Sequence, residues 1–326
     1  MQDRCLMWAV ALGSVAPGLV GLLAAEPSGG EVKLVEQPDK IVVQIGGELF
    51  TEYVFRGAPH LYYYPLLGPR GLPMTRNWPM KQVEGEDHDH PHHRSLWYAH
   101  GAVNGVDFWS EGPKAGRIVH ERFLELKSGA ESGLIRSANK WVAPGGEVVC
   151  TDERVFRVYA RPSHERLFDF EITLKAGDRE VVLGDTKEGT MAVRVAESMR
   201  LTQPKKKPGQ GHIVLSTGVR DGQTWGKRAE WCDYHGPVQG QLVGIAIFDH
   251  PSNPVHPTWW HVRDYGLFAA NPFGVHDFER KPAGTGNLVI APGQSVTFKY
   301  RFYLHEGDEQ QARVAERYRQ YVAGGL

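Results

Sequence analysis

Residues 296–304 read VTFKYRFYL, and apolar side chains occupy every second position of this stretch. In an extended chain, one side then carries Val296, Phe298, Tyr300, Phe302 and Leu304. Residues 167–175, LFDFEITLK, alternate in the same way and place Phe168, Phe170, Ile172 and Leu174 on one side. A period of two is typical of strands that bury one face of an antiparallel sheet.

Alternating runs of this kind recur along the whole chain. They lie at residues 40–44, 52–55, 117–126, 153–159, 191–197, 213–216 and 242–248, separated by clusters of Gly, Pro, Asn and Asp. So many strands are typical of a sandwich or barrel, and we expect an all-β fold built as a large antiparallel two-sheet sandwich. The predicted sandwich is analogous to the supersandwich of galactose-mutarotase-like proteins, and this analogy concerns the fold alone.

Only the end of the chain has a helical pattern. Residues 309–324 read EQQARVAERYRQYVAG, in which Ala312, Ala315, Tyr318 and Val322 recur at helical spacing. Asp308 is placed to cap the start of a helix, and Gly324 with Gly325 is placed to end it. The sequence therefore predicts one short C-terminal helix.

The first 25 residues differ from the rest. Arg4 precedes the apolar stretch CLMWAVALGSVAPGLVGLLAA, and small residues at Ala24 and Ala25 precede Glu26. This order predicts a signal peptide at 1–25 and an exported protein, periplasmic or extracellular, with one β-sandwich domain over 30–326. The alternative is an uncleaved membrane anchor, which the glycines and the proline inside the stretch disfavour.

Composition limits the partners of the mature chain. The 326 residues have a formal net charge of −1, so no broad basic surface is expected to bind nucleic acid or an anionic membrane. No later stretch reaches eighteen apolar residues, so the mature chain should have no integral membrane domain. Cys150 and Cys232 would remain after removal of Cys5, and neither lies in a zinc-binding pattern.

Residues 87–95, DHDHPHHRS, concentrate titratable side chains. Pro91 favours an extended His90, and in an extended chain one side would carry His88, His90 and His92. These three histidines are the candidate ligands of a divalent metal, the one cofactor we consider. Acid–base catalysis by His90, His92 and His93, or a purely structural polar loop, explains the same density of histidines.

Two aromatic segments accompany the histidines. Residues 95–112, SLWYAHGAVNGVDFWSEG, and residues 248–266, FDHPSNPVHPTWWHVRDYG, mix large rings with polar groups. Such mixtures suit sugars, whose C–H faces stack on rings while their hydroxyls need hydrogen-bond partners. The candidate substrate-binding residues from these segments are Trp97, His100, Asn104, Asp107, Trp109, Trp259 and Arg263. Arg94 and the amide of Asn271 are further candidates for substrate binding. Burial of the tryptophans in the core is the structural alternative.

Two further segments hold carboxylates near strand ends. Residues 185–190, DTKEGT, contain Glu188, and residues 229–235, AEWCDYH, contain Glu230 and Asp233. Paired carboxylates are the usual tools of glycosidic chemistry. Glu188, Glu230 and His261 therefore join the histidines as candidate catalytic residues, and Asp233 joins the candidate substrate-binding residues.

Four long segments resemble one known family. The segments DHPHHRSLWYAHGAVNGVDFWSE, DTKEGTMAVRVAE, EWCDYHGPV and GIAIFDHPSNPVHPTWWHVRDYGLFAANPFG together resemble the DUF6807 family of secreted bacterial proteins, also labelled methane oxygenase PmoA-like. The resemblance covers about residues 35–305 and implies an all-β domain. A membrane methane monooxygenase needs several apolar spans of about twenty residues, which the mature sequence lacks, so we reject that activity.

Three hypotheses about function follow. The first is an exported carbohydrate-active enzyme, a hydrolase, lyase or epimerase, that uses His and carboxylate acid–base chemistry on a small-molecule or oligosaccharide substrate. The second is a non-catalytic carbohydrate-binding accessory protein. The third is a metal-dependent enzyme that uses the histidines at 88–93. The sequence contains no phosphate loop, no GxGxxG after a strand, no GxSxG and no HExxH, which disfavours the enzyme classes built on those motifs.

Overall fold

The computed structural model describes residues 29–326. Their strands are β1 (Val32–Glu36), β2 (Lys40–Ile45), β3 (Glu48–Val54), β4 (Tyr62–Leu66), β5 (Leu96–His100), β6 (Arg117–Lys127), β7 (Ser132–Val142), β8 (Val148–Tyr159), β9 (Glu165–Lys175), β10 (Val181–Leu183), β11 (Gly189–Arg194), β12 (Thr202–Gln203), β13 (Lys207–Pro208), β14 (His212–Leu215), β15 (Trp231–Val238), β16 (Gln241–Asp249), β17 (Trp259–Val262), β18 (Leu267–Asn271), β19 (Leu288–Ile290) and β20 (Ser295–Glu306). The helices are α1 (Val275–Glu279) and α2 (Val314–Val322). The predicted signal peptide at 1–25 lies outside the described residues.

Two antiparallel sheets of eight strands make up most of the fold. The front sheet has the order β1-β2-β3-β4-β5-β11-β18-β17, and the back sheet has the order β14-β15-β16-β20-β9-β8-β7-β6. β10 pairs with β19, and β12 pairs with β13, in two small ribbons. The prediction of an all-β, two-sheet antiparallel sandwich with a short C-terminal helix is confirmed.

The main core lies between the two sheets. Rings of the front sheet meet rings of the back sheet directly, with centroid distances of 5.8 Å for Phe50 and Phe168 and 4.3 Å for Tyr63 and Phe156. The alternating residues that define the fold are inside this layer, since Phe298, Tyr300 and Phe302 have no exposed surface. Alternation therefore identified the core face of β9 and β20 correctly.

The C-terminal helix covers the outer face of the back sheet. Tyr318 and Tyr321 of α2 pack on Phe248 of β16, with centroid distances of 5.7 and 6.1 Å. The helix begins later than predicted. Asp308 does accept hydrogen bonds from the backbone N–H groups of Gln310 and Gln311. However, Arg313 has a φ of 55°, which ends that first turn before α2 starts.

Cys150 and Cys232 are buried and free. Cys150 lies on β8 and Cys232 lies on β15, four strand intervals apart in the back sheet. At about 4.8 Å per interval they are about 19 Å apart, far beyond the reach of a disulfide. Among residues 29–326, no helix is long and apolar enough to cross a membrane.

Candidate functional site

The histidine-rich segment forms a turn against the outer face of the front sheet. His90 has a φ of 41°, so the expectation that Pro91 would hold it extended is wrong. The backbone N–H of His93 donates to the carbonyl of His90 at 3.0 Å. Arg76, fully buried, donates through Nη2 to the carbonyls of Asp89 and His90 at 3.0 and 3.1 Å. These contacts outweigh the preference for an extended backbone that a residue before proline normally has.

Four aromatic rings stack in a row at this turn. The order is Tyr265, His90, His93 and Trp97, with centroid distances of 5.3, 4.6 and 5.2 Å. The interplanar angles are 4°, 7° and 24°, so the rings are nearly parallel. The stack joins the segment 87–95 to the segment 259–266, although about 170 residues separate them in the chain. We call this arrangement, with Asp89, His92 and Arg194, the histidine site.

A buried arginine organises the charges beneath the stack. Arg194 Nη1 donates to Nδ1 of His93 at 3.1 Å, and Nη2 donates to Oδ1 of Asp89 at 2.9 Å. Its Cζ lies 4.8 Å from the ring centre of Tyr265. Burial opposes ionisation of Asp89, yet its hydrogen bond with His90 and the charges of Arg194 and Arg76 hold its pKa well below the usual range. Asp89 is therefore a fixed anion between two guanidinium groups.

The hydrogen bond from Arg194 also decides the tautomer of His93. A guanidinium can only donate, so Nδ1 of His93 accepts and the proton of the neutral ring is on Nε2. Burial lowers the pKa of His93 well below 6.5, and the neighbouring His92 and Arg194 lower it further. His93 is consequently neutral at physiological pH, with its N–H group on Nε2.

His92 combines a low pKa with free ring nitrogens. Burial and the charge of His90 lower its pKa to about 4. Its ring lies edge-on to His93, at 4.5 Å, and to Trp109, at 6.3 Å. No hydrogen bond to its ring nitrogens is formed by any residue of the described chain, 29–326. His92 is thus a neutral imidazole with an unengaged lone pair.

Strand register brings His261 to the same face. Trp97 pairs with Ala192, Ala192 with Ala269, and Ala269 with His261, in one row across the front sheet. Residues directly opposite on neighbouring strands point to the same side, so His261 lies on the face that carries the histidine site. Its Nδ1 accepts a hydrogen bond from Trp225 Nε1 at 3.2 Å, and burial with the charge of Arg263 lowers its pKa to about 3.

Glu188 lies at the rim of this face. Its carboxylate is half-buried and lies 3.2 Å from Nζ of Lys187. The charges of Glu188 and Asp89 both act on Tyr265, whose pKa is raised mainly by burial. Asn271, fully buried, donates to the carbonyls of Thr186 and Lys187 at 3.0 and 2.8 Å, so it holds the loop that presents Glu188.

Arg94 and the two tryptophans after it are engaged within the fold. Arg94 forms a two-pronged ion pair with Glu111, at 2.6 and 2.9 Å. Burial opposes the ionisation of Glu111, but its hydrogen bonds with Arg94 and His60 lower its pKa to about 2. Trp97 and Trp109 are each only 1% exposed, so neither offers a ring face to a ligand in this conformation.

Three other candidate residues shape neighbouring turns. His100 Nε2 lies 2.9 Å from the carbonyl of Gly184, to which it donates, and burial lowers its pKa to about 4. Asn104 bridges to residues 180 and 182 through both ends of its amide. Asp107 accepts hydrogen bonds from the backbone N–H groups of Trp109 and Ser110. All three contacts position backbone near the C-terminal end of β5, a central strand of the front sheet.

The remaining candidates divide between the two sheets. Arg263 lies at the histidine site, with Cζ 5.5 Å from the ring centre of Tyr265. Trp259 is buried and donates from Nε1 to Glu279 at 3.0 Å. Glu230 is exposed beside β15, and Asp233 is buried on β15, so both belong to the back sheet. The structure therefore brings the segments around residues 87–95, 185–190 and 248–266 together on the front sheet. Residues 229–235 lie on the back sheet instead.

The three proposed metal ligands at 88–92 do not converge. His88 stacks on Trp78 at 4.2 Å, and Nδ1 of His90 lies 2.8 Å from Oδ2 of Asp89. Within residues 29–326, the group whose donor atoms all lie within 4.8 Å of one another is Asp233, His235 and Glu309. The geometry thus favours a metal on the back sheet rather than at the histidine turn.

Sequence reasoning missed Asp89, Arg194 and Tyr265 as members of the site. Arg194 carries a usable signal, because it interrupts the apolar strand run MAVRVA at 191–196. A charged residue in the middle of a central strand must either reach solvent or find a buried counter-ion. Asp89 supplies that counter-ion from a loop 105 residues away in sequence.

Comparison with solved structures gives matches to sugar-active proteins at low similarity. An α-galactosidase from Lactobacillus brevis matches with 8% identity and a TM-score of 0.43, covering 86% of this chain and 40% of that one. A galactose 1-epimerase from Lactobacillus acidophilus NCFM matches with 8% identity and a TM-score of 0.39, covering 86% of this chain and 100% of that one. A Glycoside Hydrolase Family 97 enzyme from Pseudoalteromonas sp. strain K8, in complex with acarbose, matches with 12% identity and a TM-score of 0.33, covering 86% and 34%.

The assignment of the fold rests on the two sheets themselves and not on these scores. No curated protein matches the chain. A sequence model described as "Family of unknown function (DUF6807)" matches residues 40–319, which is most of the chain. The chain therefore belongs to the DUF6807 family.

Proposed function

We propose that this protein is a carbohydrate-active enzyme that transfers protons on a sugar at the histidine site. The observation that carries the proposal is the stack of Tyr265, His90, His93 and Trp97, held from below by Arg194. The stack fixes the neutral imidazole of His93 and the phenol of Tyr265 beside a permanent anion, Asp89. Rigid groups of defined protonation are what acid–base catalysis needs.

His92 is the proposed base. It is neutral above about pH 4, half-buried, and free of hydrogen bonds to the described chain. A sugar hydroxyl or an activated C–H group that reaches its lone pair can transfer a proton to it. The charges of Glu111 and Asp107 would stabilise the imidazolium produced, because both act to raise the pKa of His92.

Tyr265 is the proposed donor. Burial raises the pKa of Tyr265, so its hydroxyl remains protonated at neutral pH, and that hydroxyl makes no hydrogen bond within residues 29–326. His93 is buried and holds the stack in place, so it acts on the site by position and not as a donor to the sugar. Glu188, half-buried at the rim, supplies a carboxylate for a hydroxyl of the substrate.

A cavity that is lined in part by Arg263, which contacts Tyr265, offers space for the sugar ring. It has a volume of about 300 Å³ and is lined by Asp221, Gly222, Trp225, Val262, Arg263 and Asp264. Trp225 is half-buried, unlike Trp97 and Trp109, so its ring can stack on the C–H face of a sugar. Two carboxylates and a guanidinium around the ring match a ligand rich in hydroxyl groups.

Export belongs to the same proposal. Residues 1–25 have the charged, apolar and small-residue order of a signal peptide, so we propose that the mature protein acts in the periplasm or outside the cell. N-terminal sequencing of protein recovered from the periplasmic and extracellular fractions tests this. A mature N-terminus close to Glu26 is expected, whereas an intact Met1 in the membrane fraction would indicate an anchor.

The activity is tested with purified protein on a panel of oligosaccharides, glycosides and keto-sugars, with product analysis. His92→Ala should abolish turnover on any active substrate while leaving the thermal midpoint close to that of the wild type, since His92 makes no hydrogen bond in residues 29–326. His88→Ala is the matched control, because His88 belongs to the same segment but stacks on Trp78. Binding without product formation would instead support a carbohydrate-binding accessory protein.

A further inference from the structure

The outer face of the back sheet carries a row of histidines. His212 pairs with His235, His235 with Gly244, and Gly244 with His305, across four neighbouring strands. Glycine is required at the centre of this row. A Cβ atom on residue 244 would lie 2.4 Å from Cε1 of His305 and 3.0 Å from Cβ of His235. The missing side chain lets the rings of His235 and His305 approach each other.

Both rings are directed at one buried carboxylate. Nδ1 of His235 lies 2.6 Å from Oδ1 of Asp233, and Nε2 of His305 lies 2.7 Å from Oδ2. All three side chains are almost completely buried. Burial opposes ionisation of Asp233, but the two histidines lower its pKa. Asp233 is therefore an anion within the protein, beneath the C-terminal segment.

A second carboxylate enters the same cluster from the C-terminal segment. Glu309, 8% exposed, accepts a hydrogen bond from Arg220 on Oε1 at 2.8 Å. Its other oxygen, Oε2, is buried and has no hydrogen-bond partner within residues 29–326. That oxygen lies 3.8 Å from Nδ1 of His235. A buried carboxylate oxygen without a partner is unfavourable unless a further ligand satisfies it.

We infer that Asp233, His235 and Glu309 form a binding site for a divalent transition-metal ion of the Zn²⁺ class. Their donor atoms all lie within 4.8 Å of one another. Ligands about 2.1 Å from a tetrahedral zinc ion are about 3.4 Å apart, so only small side-chain shifts are needed. Nδ1 of His235, which donates to Asp233 without an ion, releases its proton to solvent when the ion binds. Two carboxylates and one neutral imidazole then balance the two positive charges and leave a fourth position open.

The surrounding residues fit this inference. The hydrogen bond from His305 to Asp233 Oδ2, and the one from Arg220 to Glu309 Oε1, orient the two carboxylates from behind. Such outer contacts are typical of metal ligands in proteins. A cavity of about 430 Å³ lies beside the cluster, since Glu309 lines it together with Arg220 and Trp231.

The site would join two parts of the fold. Asp233 and His235 belong to β15, whereas Glu309 belongs to the turn that precedes α2. A bound ion would thus tie the C-terminal segment to the back sheet and raise the stability of the folded protein. This site lies on the sheet opposite the histidine site, so the inference does not depend on the proposed function.

The test uses the untagged mature protein, stripped with a chelator and titrated with Zn²⁺ by calorimetry. One ion per chain is expected, with a rise in thermal midpoint of about 5 °C at a hundredfold excess over the dissociation constant. Co²⁺ in place of Zn²⁺ should give the intense visible absorption of a four-coordinate ion. No saturable binding to the wild type would overturn the inference.

Variants identify the ligands. Glu309→Gln keeps the shape of the side chain and an acceptor for Arg220, and should weaken Zn²⁺ binding more than tenfold, as should His235→Ala. The control is His256→Asn, because Nδ1 of His256 lies 2.7 Å from Asp249 in a buried His–Asp pair outside the metal group. This control should bind as the wild type does. Equal affinity of wild type and Glu309→Gln, or an equal loss in the control, would refute the assignment.

Discussion

Arg194 donates one hydrogen bond to Nδ1 of His93 at 3.1 Å and another to Oδ1 of Asp89 at 2.9 Å. One guanidinium thereby sets the tautomer of an imidazole and holds the anion that faces it. The two contacts use the fork of the guanidinium, which presents several N–H groups in one plane. Arg194 is therefore a positioning residue for the whole turn at 87–95.

Replacement of Arg194 by lysine should damage both stability and the site. The ammonium group keeps the charge but cannot contact His93 and Asp89 with the same geometry. We expect the free energy of unfolding to fall by about 3 kcal/mol, because the fully buried cation at position 194 loses part of its pairing with the half-buried Asp89. Urea denaturation measures this loss. Arg122→Lys, on the exposed surface of β6, is the control, and an equal effect there would contradict the assignment.

Removal of the Tyr265 hydroxyl should affect chemistry more than structure. Tyr265→Phe keeps the ring that stacks on His90, while it removes the proposed proton donor. Turnover on an active sugar should fall by about a hundredfold, the scale of general acid catalysis. The thermal midpoint should change little. An unchanged turnover number would exclude the hydroxyl from the reaction.

Buried histidines should make the protein less stable in mild acid. Burial lowers the pKa of His100 from 6.5 to about 4, so the unfolded chain binds a proton in this interval while the folded protein does not. Stability is therefore fully present above pH 6.5 and decreases as the pH falls toward 4, by about 3 kcal/mol for this residue.

His100→Gln should reduce that dependence. The glutamine amide can still donate to the carbonyl of Gly184, but it does not titrate. Unfolding free energies measured by urea at intervals between pH 6.5 and pH 4 should thus show a shallower slope in the variant than in the wild type. Identical slopes in the two proteins would show that His100 does not contribute.

Glu111 should make the stability of the protein depend on pH in a lower range than His100 does. As for other paired carboxylates, its stabilising contribution is lost in acid. Its pKa is lowered from 4.5 to about 2, against the effect of burial, by hydrogen bonds from Arg94 and His60. Its contribution to stability is present above pH 4.5 and is lost as the pH falls through 2. Glu111→Gln should be less stable at neutral pH and should lose less stability in this interval. Glu125→Gln, an exposed carboxylate on β6, should behave as the wild type does.

Gly244 is expected to tolerate no side chain. Gly244→Ala places a methyl group against the rings of His305 and His235, so the unfolding free energy should fall by about 1–3 kcal/mol. Gly145→Ala is the matched control, since no heavy atom lies within 4 Å of a Cβ at that position. Differential scanning calorimetry gives the thermal midpoints of the two variants for comparison. Equal midpoints would contradict the crowding of His305 and His235 around residue 244.

The fold was predictable where burial is one-sided. β9 and β20 show a period of two, because one face of each enters the core while the other carries polar or half-buried groups. β5 gave no such signal because all five of its residues are buried. β7 was also missed, since Ser137 and Asn139 are polar residues that are buried. The start of α2 was placed too early, because the positive φ of Arg313 has no sequence signature.

The histidine site was predictable in its parts and not in its assembly. The sequence marks His90, His92, His93 and Glu188 as candidates, but their grouping depends on the register of β5, β11, β18 and β17. The hydrogen-bond partners of Arg194 could not be derived from spacing, as both lie about 100 residues away. The same limit applies to Asp233 and His235 on β15, because their neighbour Glu309 follows in the chain only after five further strands.

The order of strands in the back sheet has a consequence for how the chain folds. β6, β7, β8 and β9 are consecutive in sequence and adjacent in the sheet, so they can pair as a meander early. β9 pairs next with β20, which brings Leu174 beside Val296 across a closed loop of more than a hundred residues. The sandwich can be completed only after residue 306 is available, which predicts slow folding and a long-lived, partly open intermediate during synthesis.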